Sequence, residues 1–306
     1  MHKSVLIREF LGFSSCASPK PSLWDGTVGA AGHVCGWLKQ NSDGHAYASD
    51  QDFQMLEIAK KEIFSQNLQN RVNLKNANFS ENPFSEYSPF DTIFLDLGIS
   101  SFHLDSIERG ISIKDHGVLD MRLNPREGIP LWKWLKKTSM VEIRDVIYRF
   151  GEESYAPRIA QKIVEDRPNH EELTADWLNR ICIASYSGGR HSRYVKNPGI
   201  KTFQAFRIFI NNEIQHLENA LDFLPYLLKI QGKLIIISFH SLEDRVVKHA
   251  FRSLEKIENK SDFARSAYRE GDFSVLTKKP VLPSQEEVES NPRSRSAKMR
   301  VLQRLR

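Results

Sequence analysis

Apolar residues along this chain fall into two rhythms, and the changes of rhythm mark its parts. Residues 22–100 alternate short apolar runs with stretches of 3.6-residue period. Ser22-Leu23-Trp24 reads as a strand, Val34 to Lys39 as a helix, and His45 to Ser49 as a second strand closed by Asp50. Phe53, Leu56, Ala59, Lys60 and Ile63 share one helical face, with Asp52 as the cap. Arg71 to Leu74 is a weak third strand, and Thr92-Ile93-Phe94-Leu95 is a fourth, flanked by Asp91 and Asp96. Strands at this spacing, with helices between them, predict parallel βαβ units.

From about Asp105 to Lys201 the pattern predicts helices and loops only. Ser139 to Glu142 forms a capping box ahead of Ile143, Val146, Ile147 and Phe150. Pro157 suits a first helical turn, and Thr174 caps a helix through Leu178, Ile181 and Ala184. The α/β rhythm then returns. Thr202 is expected to cap one long helix with Phe203, Phe206, Ile210, Ile214, Leu217, Leu221 and Leu224 along its stripe. Lys233 to Phe239 is the strongest strand, its unbroken apolar run suiting burial on both faces. A helix from Leu242 and a strand near Met299 to Leu302 complete the chain. These elements predict an α/β fold: a doubly wound core over 1–104 and 202–306, interrupted by a helical insertion over 105–201.

Composition narrows the class. The 306 residues are 40% hydrophobic and 26% charged, enough apolar material for a sizeable core. Three scattered cysteines offer neither a disulfide framework nor a thiolate zinc site, which points to a reducing, cytoplasmic compartment. No apolar run is long enough to span a membrane, and the start lacks a signal-peptide core. The ten histidines form no HExxH pattern, so no metal is expected. The net charge of +5 matters less than its placement. Between Trp177 and Asn212 there is no acid, but there are Arg180, Arg190, Arg193, Lys196, Lys201 and Arg207. The tail from Asn291 carries Arg293, Arg295, Lys298, Arg300, Arg304 and Arg306, also without an acid. Such runs either lie solvated on a surface or attract phosphates. Tyr186, His191 and Tyr194 add stacking groups beside the first.

The chemistry signals sit at strand ends. Gly26, Gly29 and Gly32 follow the first strand in a GxxGxxG spacing, which serves either a tight turn or close approach of a ligand to the backbone. Asp50 lies eighteen residues beyond Gly32 at the end of the next strand, where a carboxylate accepts hydrogen bonds from both ribose hydroxyls. The pair suggests an adenosine cofactor, NAD or S-adenosylmethionine, and the absence of GxGxxG leans away from NAD. Asp96, after the fourth strand, would face the crevice and meet a sulfonium or a substrate amine. Phe79 is placed either to stack on adenine or to pack in the core. Ser238 and His240, ending the strong strand, suit a polar substrate edge; no GxSxG elbow supports a serine hydrolase.

Taken together, several segments resemble the bacterial 16S ribosomal-RNA cytosine-N4 methyltransferase family. They are His2 to Leu6, Asp25 to His33, Leu95 to Ser101, Arg109-Gly110, Leu119 to Arg122, Gly151 to Glu153, Thr202 to Ile208, Ser238 to Arg245, and Asn291 to Ser296, in the family's order over nearly the whole chain. The resemblance implies a Rossmann-like methyltransferase core that transfers a methyl group from S-adenosylmethionine to the exocyclic N4 of a cytosine in the ribosomal decoding centre. Its partner would be 16S ribosomal RNA in the small subunit, and the chain could form a homodimer. Carried over by motif, the cofactor contacts are Ala31, Gly32, His33, Asp50, Phe79, Asp96 and His103. Asp96 is also the expected catalytic residue, as the acceptor that would hold the hydrogens of the cytosine amine. Ser238, His240, Arg190, Arg193, Lys196, Arg293 and Arg295 are the expected RNA-side residues. The chain departs from the family pattern at Ser4, Ala30, Ala31, His103 and Val118. The other readings are a non-catalytic RNA-binding or assembly protein that keeps a decayed cofactor pocket, and a nicotinamide dehydrogenase.

Overall fold

The computed structural model describes residues 3–99, 102, 109–186, 197–258 and 268–306. The chain forms two compact units, Met1–Gly98 with Ile214–Arg306, and Ile99–Glu213. The first unit holds every strand among the described residues: β1 (Ser22–Asp25), β2 (His45–Asp50), β3 (Val72–Asn76), β4 (Phe90–Asp96), β5 (Leu228–Ser238), β6 (Lys256–Glu258), β7 (Tyr268–Glu270), β8 (Phe273–Val275) and β9 (Lys298–Arg304). Seven of them build one mixed sheet in the order β3-β2-β1-β4-β5-β9-β8, while β6 and β7 form a separate hairpin. The first five strands of that order run parallel, and β9 pairs antiparallel with both β5 and β8. The chain moves outward from β1 to β3 and then returns to place β4 on the other side of β1. In such a sheet, ligands bind at the carboxyl ends of the two strands where the order reverses, here β1 and β4.

Local chemistry explains the elements. β4 and the last half of β5 are buried along nearly their whole length, as expected of central parallel strands. Asp52 caps the helix Phe53–Ser65 by accepting from the Gln54 N–H at 2.8 Å. Asp91 staples the amino-terminal end of the sheet. Its Oδ2 accepts from the Ser22 N–H at 2.8 Å and lies 2.7 Å from Lys229 Nζ on the far strand.

The second unit is helical: Leu131–Lys137, Met140–Gly151, Ala156–Asp166, Ala175–Tyr186 and Ile200–Ile210 enclose their own core of Leu131, Ile147, Ile159, Leu178, Phe203 and Phe206. Ser139, Pro157 and Thr174 occupy the helix starts expected of them. The expected long helix from Thr202 is instead two helices, Ile200–Ile210 and Glu213–Leu221. Asn212 breaks them with a left-handed φ of 49°, and the Asn211 amide holds the Met121 carbonyl and accepts from the Leu123 N–H. Gly199, not Thr202, is the N-cap. The compact units therefore divide at 98/99 and 213/214 rather than at 104/105 and 201/202, because Phe203 and Phe206 pack into the helical core. No helix among the described residues is long and apolar enough to cross a membrane.

At Gly151 two of these helices press close together: a Cβ built there would lie 2.7 Å from the Lys201 carbonyl oxygen and 3.2 Å from Ala205 Cβ. Alanine is the better helix former by about 1 kcal/mol in isolation, but overpacking against backbone costs about 1–3 kcal/mol. Gly151→Ala is therefore expected to lower the urea midpoint. An unchanged or raised midpoint would show that the helix Ile200–Ile210 can move aside freely.

Candidate active site

The turn after β1 runs Asp25-Gly26-Thr27-Val28-Gly29-Ala30-Ala31 and enters the helix Gly32–Gln40. Thr27 joins two acidic strand ends. Its N–H donates to Asp25 Oδ1 at 3.0 Å, and its Oγ1 accepts from the Asp96 N–H at 2.6 Å. Asp50, at the end of β2, closes the turn from the other side. Its Oδ2 accepts from the Gly29 N–H at 3.0 Å and its Oδ1 from the Asp52 N–H at 2.9 Å. Three carboxyl groups thus gather at the carboxyl ends of β1, β2 and β4, at the point where the strand order reverses.

Burial is the main force on them. It pushes the Asp25 carboxyl up to about 8, opposed by the Thr27 N–H and reinforced by the negative charges of Asp96 and Asp50. Burial likewise pushes Asp96 up to about 7, opposed by the Gly98 N–H and reinforced by Glu243. Asp25 is the more enclosed, at 1% exposure, whereas the Asp96 side chain keeps 23%. Asp96 Oδ1 is buried and has no hydrogen-bond partner among the described residues. An unfilled carboxylate acceptor amid like charges suits a cationic ligand, so these residues fit the sulfonium and ammonium groups of S-adenosylmethionine.

The glycines have a different explanation from the one their spacing suggests. A Cβ on Gly26 would lie 2.5 Å from Leu95 Cδ2 and 2.7 Å from Phe79 Cβ. One on Gly32 would lie 2.0 Å from Ser4 Oγ. Both positions are small because the chain itself approaches them. Only Gly29, with φ of +52°, answers a backbone need of its own. Ala31 occupies a left-handed N-cap position, with φ of 62°, at a position where glycine would be unstrained.

The expected cofactor residues fall as follows. Phe79 is half-buried at the start of a short turn and packs over Gly26, which puts its ring at the end of β1. His33 is buried and points Nε2 at the Val5 carbonyl, 2.9 Å away; Nε2 therefore carries the hydrogen, and Nδ1 faces Asp96 Oδ2 at 4.0 Å. Its ring packs on Phe10 and Phe94. His103, Arg190, Arg193 and Lys196 lie outside the described residues.

Ser238 ends β5 and is buried, with Oγ 3.4 Å from the Lys298 carbonyl. Ile237 pairs with Asp96, so the segment that follows it runs past the acidic cluster. His240 begins the helix Ser241–Glu255. Its Nδ1 accepts from the Glu243 N–H at 3.4 Å, while Glu243 Oε2 accepts from the Phe239 N–H at 2.8 Å. This is a capping box in which histidine stands at the cap, and Glu243 Oε1 lies 3.0 Å from His240 Nε2. Arg293 and Arg295 are exposed on a short turn, Pro292–Ser296, whose neighbour Asn291 donates to the Lys3 carbonyl. The rest of the basic tail is engaged: Lys298 and Arg300 with Asp244, Arg304 with the carbonyls of Tyr226 and Leu228, and Arg306 with Asp272. In the helical unit, the Arg109-Gly110 and Leu119–Arg122 segments interlock with each other, the Met121 N–H donating to the Arg109 carbonyl and Asp120 pairing with Arg122.

Asp25, Thr27 and Glu243 were not foreseen as site residues. Asp25 and Thr27 lie in the turn from Asp25 to His33, where the signal is a carboxylate at a strand end two residues before a hydroxyl.

A carboxyl whose pKa rises on folding keeps its proton where the unfolded chain has lost it, so its contribution favours the folded state at low pH and fades as pH rises toward the folded value. Asp25 and Asp96 should therefore make the protein alone less stable as pH rises from about 4 to about 8. Urea unfolding should show Asp25→Asn flattening this slope, by at most a few kcal/mol across the range. A variant slope equal to the wild type's would mean that Asp25 is ionised in the native protein.

The model of the MraW methylase family matches residues 1–305. The chain is similar to the ribosomal RNA small subunit methyltransferase H of Nostoc punctiforme, with 36% identity over 304 residues covering 99% of this chain and 94% of that one. The proteins of the same name from Koribacter versatilis and Syntrophus aciditrophicus are each 37% identical, cover 99% of this chain, and are themselves covered to 94% and 98%. Among solved structures, an rRNA methylase from Streptococcus thermophilus superposes with a TM-score of 0.46 at 9% identity, covering 100% of this chain and 99% of that one. A family match over the whole length, together with these relatives, makes the chain a member of the MraW methylase family.

Proposed function

We propose that this protein transfers a methyl group from S-adenosylmethionine to the exocyclic N4 of a cytosine in 16S ribosomal RNA, within the decoding centre of the small ribosomal subunit, in the cytoplasm. The observation that carries the reading is Asp96 Oδ1, a buried acceptor without a partner among the described residues, in a cluster of carboxyl groups at the strand-order reversal. The names of the relatives support the RNA and the subunit.

Bound here, S-adenosylmethionine supplies a methyl group carried on a positively charged sulfur. Asp50 would hold the ribose hydroxyls from the end of β2, where its oxygens also accept the Gly29 and Asp52 N–H groups. Phe79 would cover the adenine, and the turn through Ala31, Gly32 and His33 would border the amino-acid end, with His103 adjoining. A cation beside Asp96 lowers its pKa and favours the carboxylate. That carboxylate would take the hydrogens of the cytosine amine, whose lone pair is otherwise delocalised into the ring, and would accept the proton that the nitrogen loses. Ser238 and His240 would read the polar edge of the base. Because the base must leave its stack, at a cost of about a few kcal/mol, the phosphate contacts of Arg190, Arg193, Lys196, Arg293 and Arg295 would offset the unstacking.

The test is incubation with tritium-labelled S-adenosylmethionine and small subunits that lack the mark, followed by nucleoside analysis. N4-methylcytidine is expected. Asp96→Ala should reduce the turnover number by about 100-fold or more and leave RNA affinity within a few-fold. RNA binding lost with turnover of bound RNA intact would remove Asp96 from its assigned role.

Cofactor binding should also release protons near pH 7, since a cation favours the ionised forms of Asp25 and Asp96. Calorimetry in buffers of different ionisation enthalpy reads this directly, and Asp96→Asn should reduce the number released. A binding heat that does not depend on the buffer would exclude the coupling.

A further inference from the structure

A second charged feature lies in the first unit, away from the acidic strand ends. Between the helix Ser241–Glu255 and the β8–β9 edge of the sheet is a cleft of about 480 Å³ lined by Lys248, Arg252, Lys278 and Arg300, with Glu255 and the buried Phe251 at its wall. Arg300 is held by Asp244, its Nε 2.7 Å from Oδ1, and Glu255 Oε1 accepts from the Val275 N–H at 3.0 Å. Lys248, Arg252 and Lys278 have no acidic partner among the described residues. Lys248 and Arg252 are four apart on one helix face, a like-charge spacing that weakens a helix slightly, and Lys278 joins them from the strand side. The fold alone gains nothing from this arrangement, whereas a polyanion would reverse the sign of the repulsion.

We infer that this cleft is a phosphate-binding groove for single-stranded RNA flanking the methylated base, an inference that rests on the RNA-methylating reading above. Its position suits that use. β9 and β8 lie two and three strands from β4, about 10–15 Å across the sheet from Asp96. A strand with one base in the crevice at β4 could therefore lay a phosphate a few nucleotides away over the cleft. The contacts are with backbone phosphates, so the groove adds affinity and register without reading sequence.

The test compares the wild-type chain with Lys248→Ala, Arg252→Ala, Lys278→Ala and the triple variant, binding a fluorescent single-stranded 20-mer RNA over a range of salt. Removing three phosphate contacts should flatten the slope of log K against log salt by roughly 2. In turnover with small subunits the triple variant should raise KM several-fold with kcat unchanged, and calorimetric affinity for S-adenosylmethionine should be unaltered. A triple variant with the wild-type salt slope overturns the groove. So does a triple variant that keeps its RNA affinity but loses affinity for a polyglutamate peptide, which would point to an acidic protein partner. The RNA-binding arm needs no turnover: if the wild type failed to methylate small subunits, the catalytic reading would fall while the salt slopes still judged the groove.

Discussion

Asp25 and Asp96 end neighbouring parallel strands, and Thr27 ties them together within two hydrogen bonds. Their closeness out of water is the constraint on which the site depends. Two carboxylates in such a place repel, and each loses hydration, so on their own they hold protons near neutral pH. A positive charge nearby would change the balance by favouring both ionised forms. The same arrangement that weakens the fold at high pH would therefore favour a cationic ligand, and binding should restore the stability that ionisation removes. Replacing either carboxyl by a neutral group would ease the fold and blunt the selection, a trade-off common at functional sites.

The turn beside these carboxyls is built by chain packing on chain. Ser4 lies against Gly32, and Phe79 against Gly26, so the small residues are needed whether or not a ligand binds. This ties the amino-terminal segment to the site. Val5 accepts the His33 ring N–H, the Leu6 N–H donates to Glu287, and Asn291 reaches the Lys3 carbonyl. Residues from the first turn of the chain, the glycine turn and the turn carrying Arg293 and Arg295 thus form one continuous assembly. A change at the amino terminus can reach Asp96 through His33, whose Nδ1 faces it.

The parallel strands and the helix caps at Asp52, Ser139 and Thr174 could be read directly, because each has a local cause in period or capping chemistry. The places of Asp50 and Asp96 at strand ends were legible for the same reason, since each closes a short strand. What escaped were features set by partners distant in sequence. The edge strand β8 is three residues long and is defined by its pairing with β9. The break at Asn211–Asn212 hid beneath an apolar stripe that continues in register through it. The glycines could be counted, but that Ser4 and Phe79 occupy the space beside them is a tertiary fact. The Asp25–Thr27–Asp96 link likewise needs two strands brought side by side.

Charge shows the same division more sharply. The basic tail looks like one stripe in linear order, yet strand pairing sends Lys298 and Arg300 to Asp244, while Arg304 turns to backbone carbonyls. Asp244 and Asp272 offset only two of the six positive charges, and Arg293 and Arg295 stay exposed on their own turn. Lys248, Arg252 and Lys278 form no run at all, being separated by as many as thirty positions, but folding places them around one cleft with no acid to neutralise all three. For a chain that must hold a polyanion, the useful quantity is the charge remaining after internal pairing, and this is a property of the fold. Under the proposed function, the helix that begins at His240 and carries Lys248 and Arg252 along its length would lead from base recognition to backbone binding.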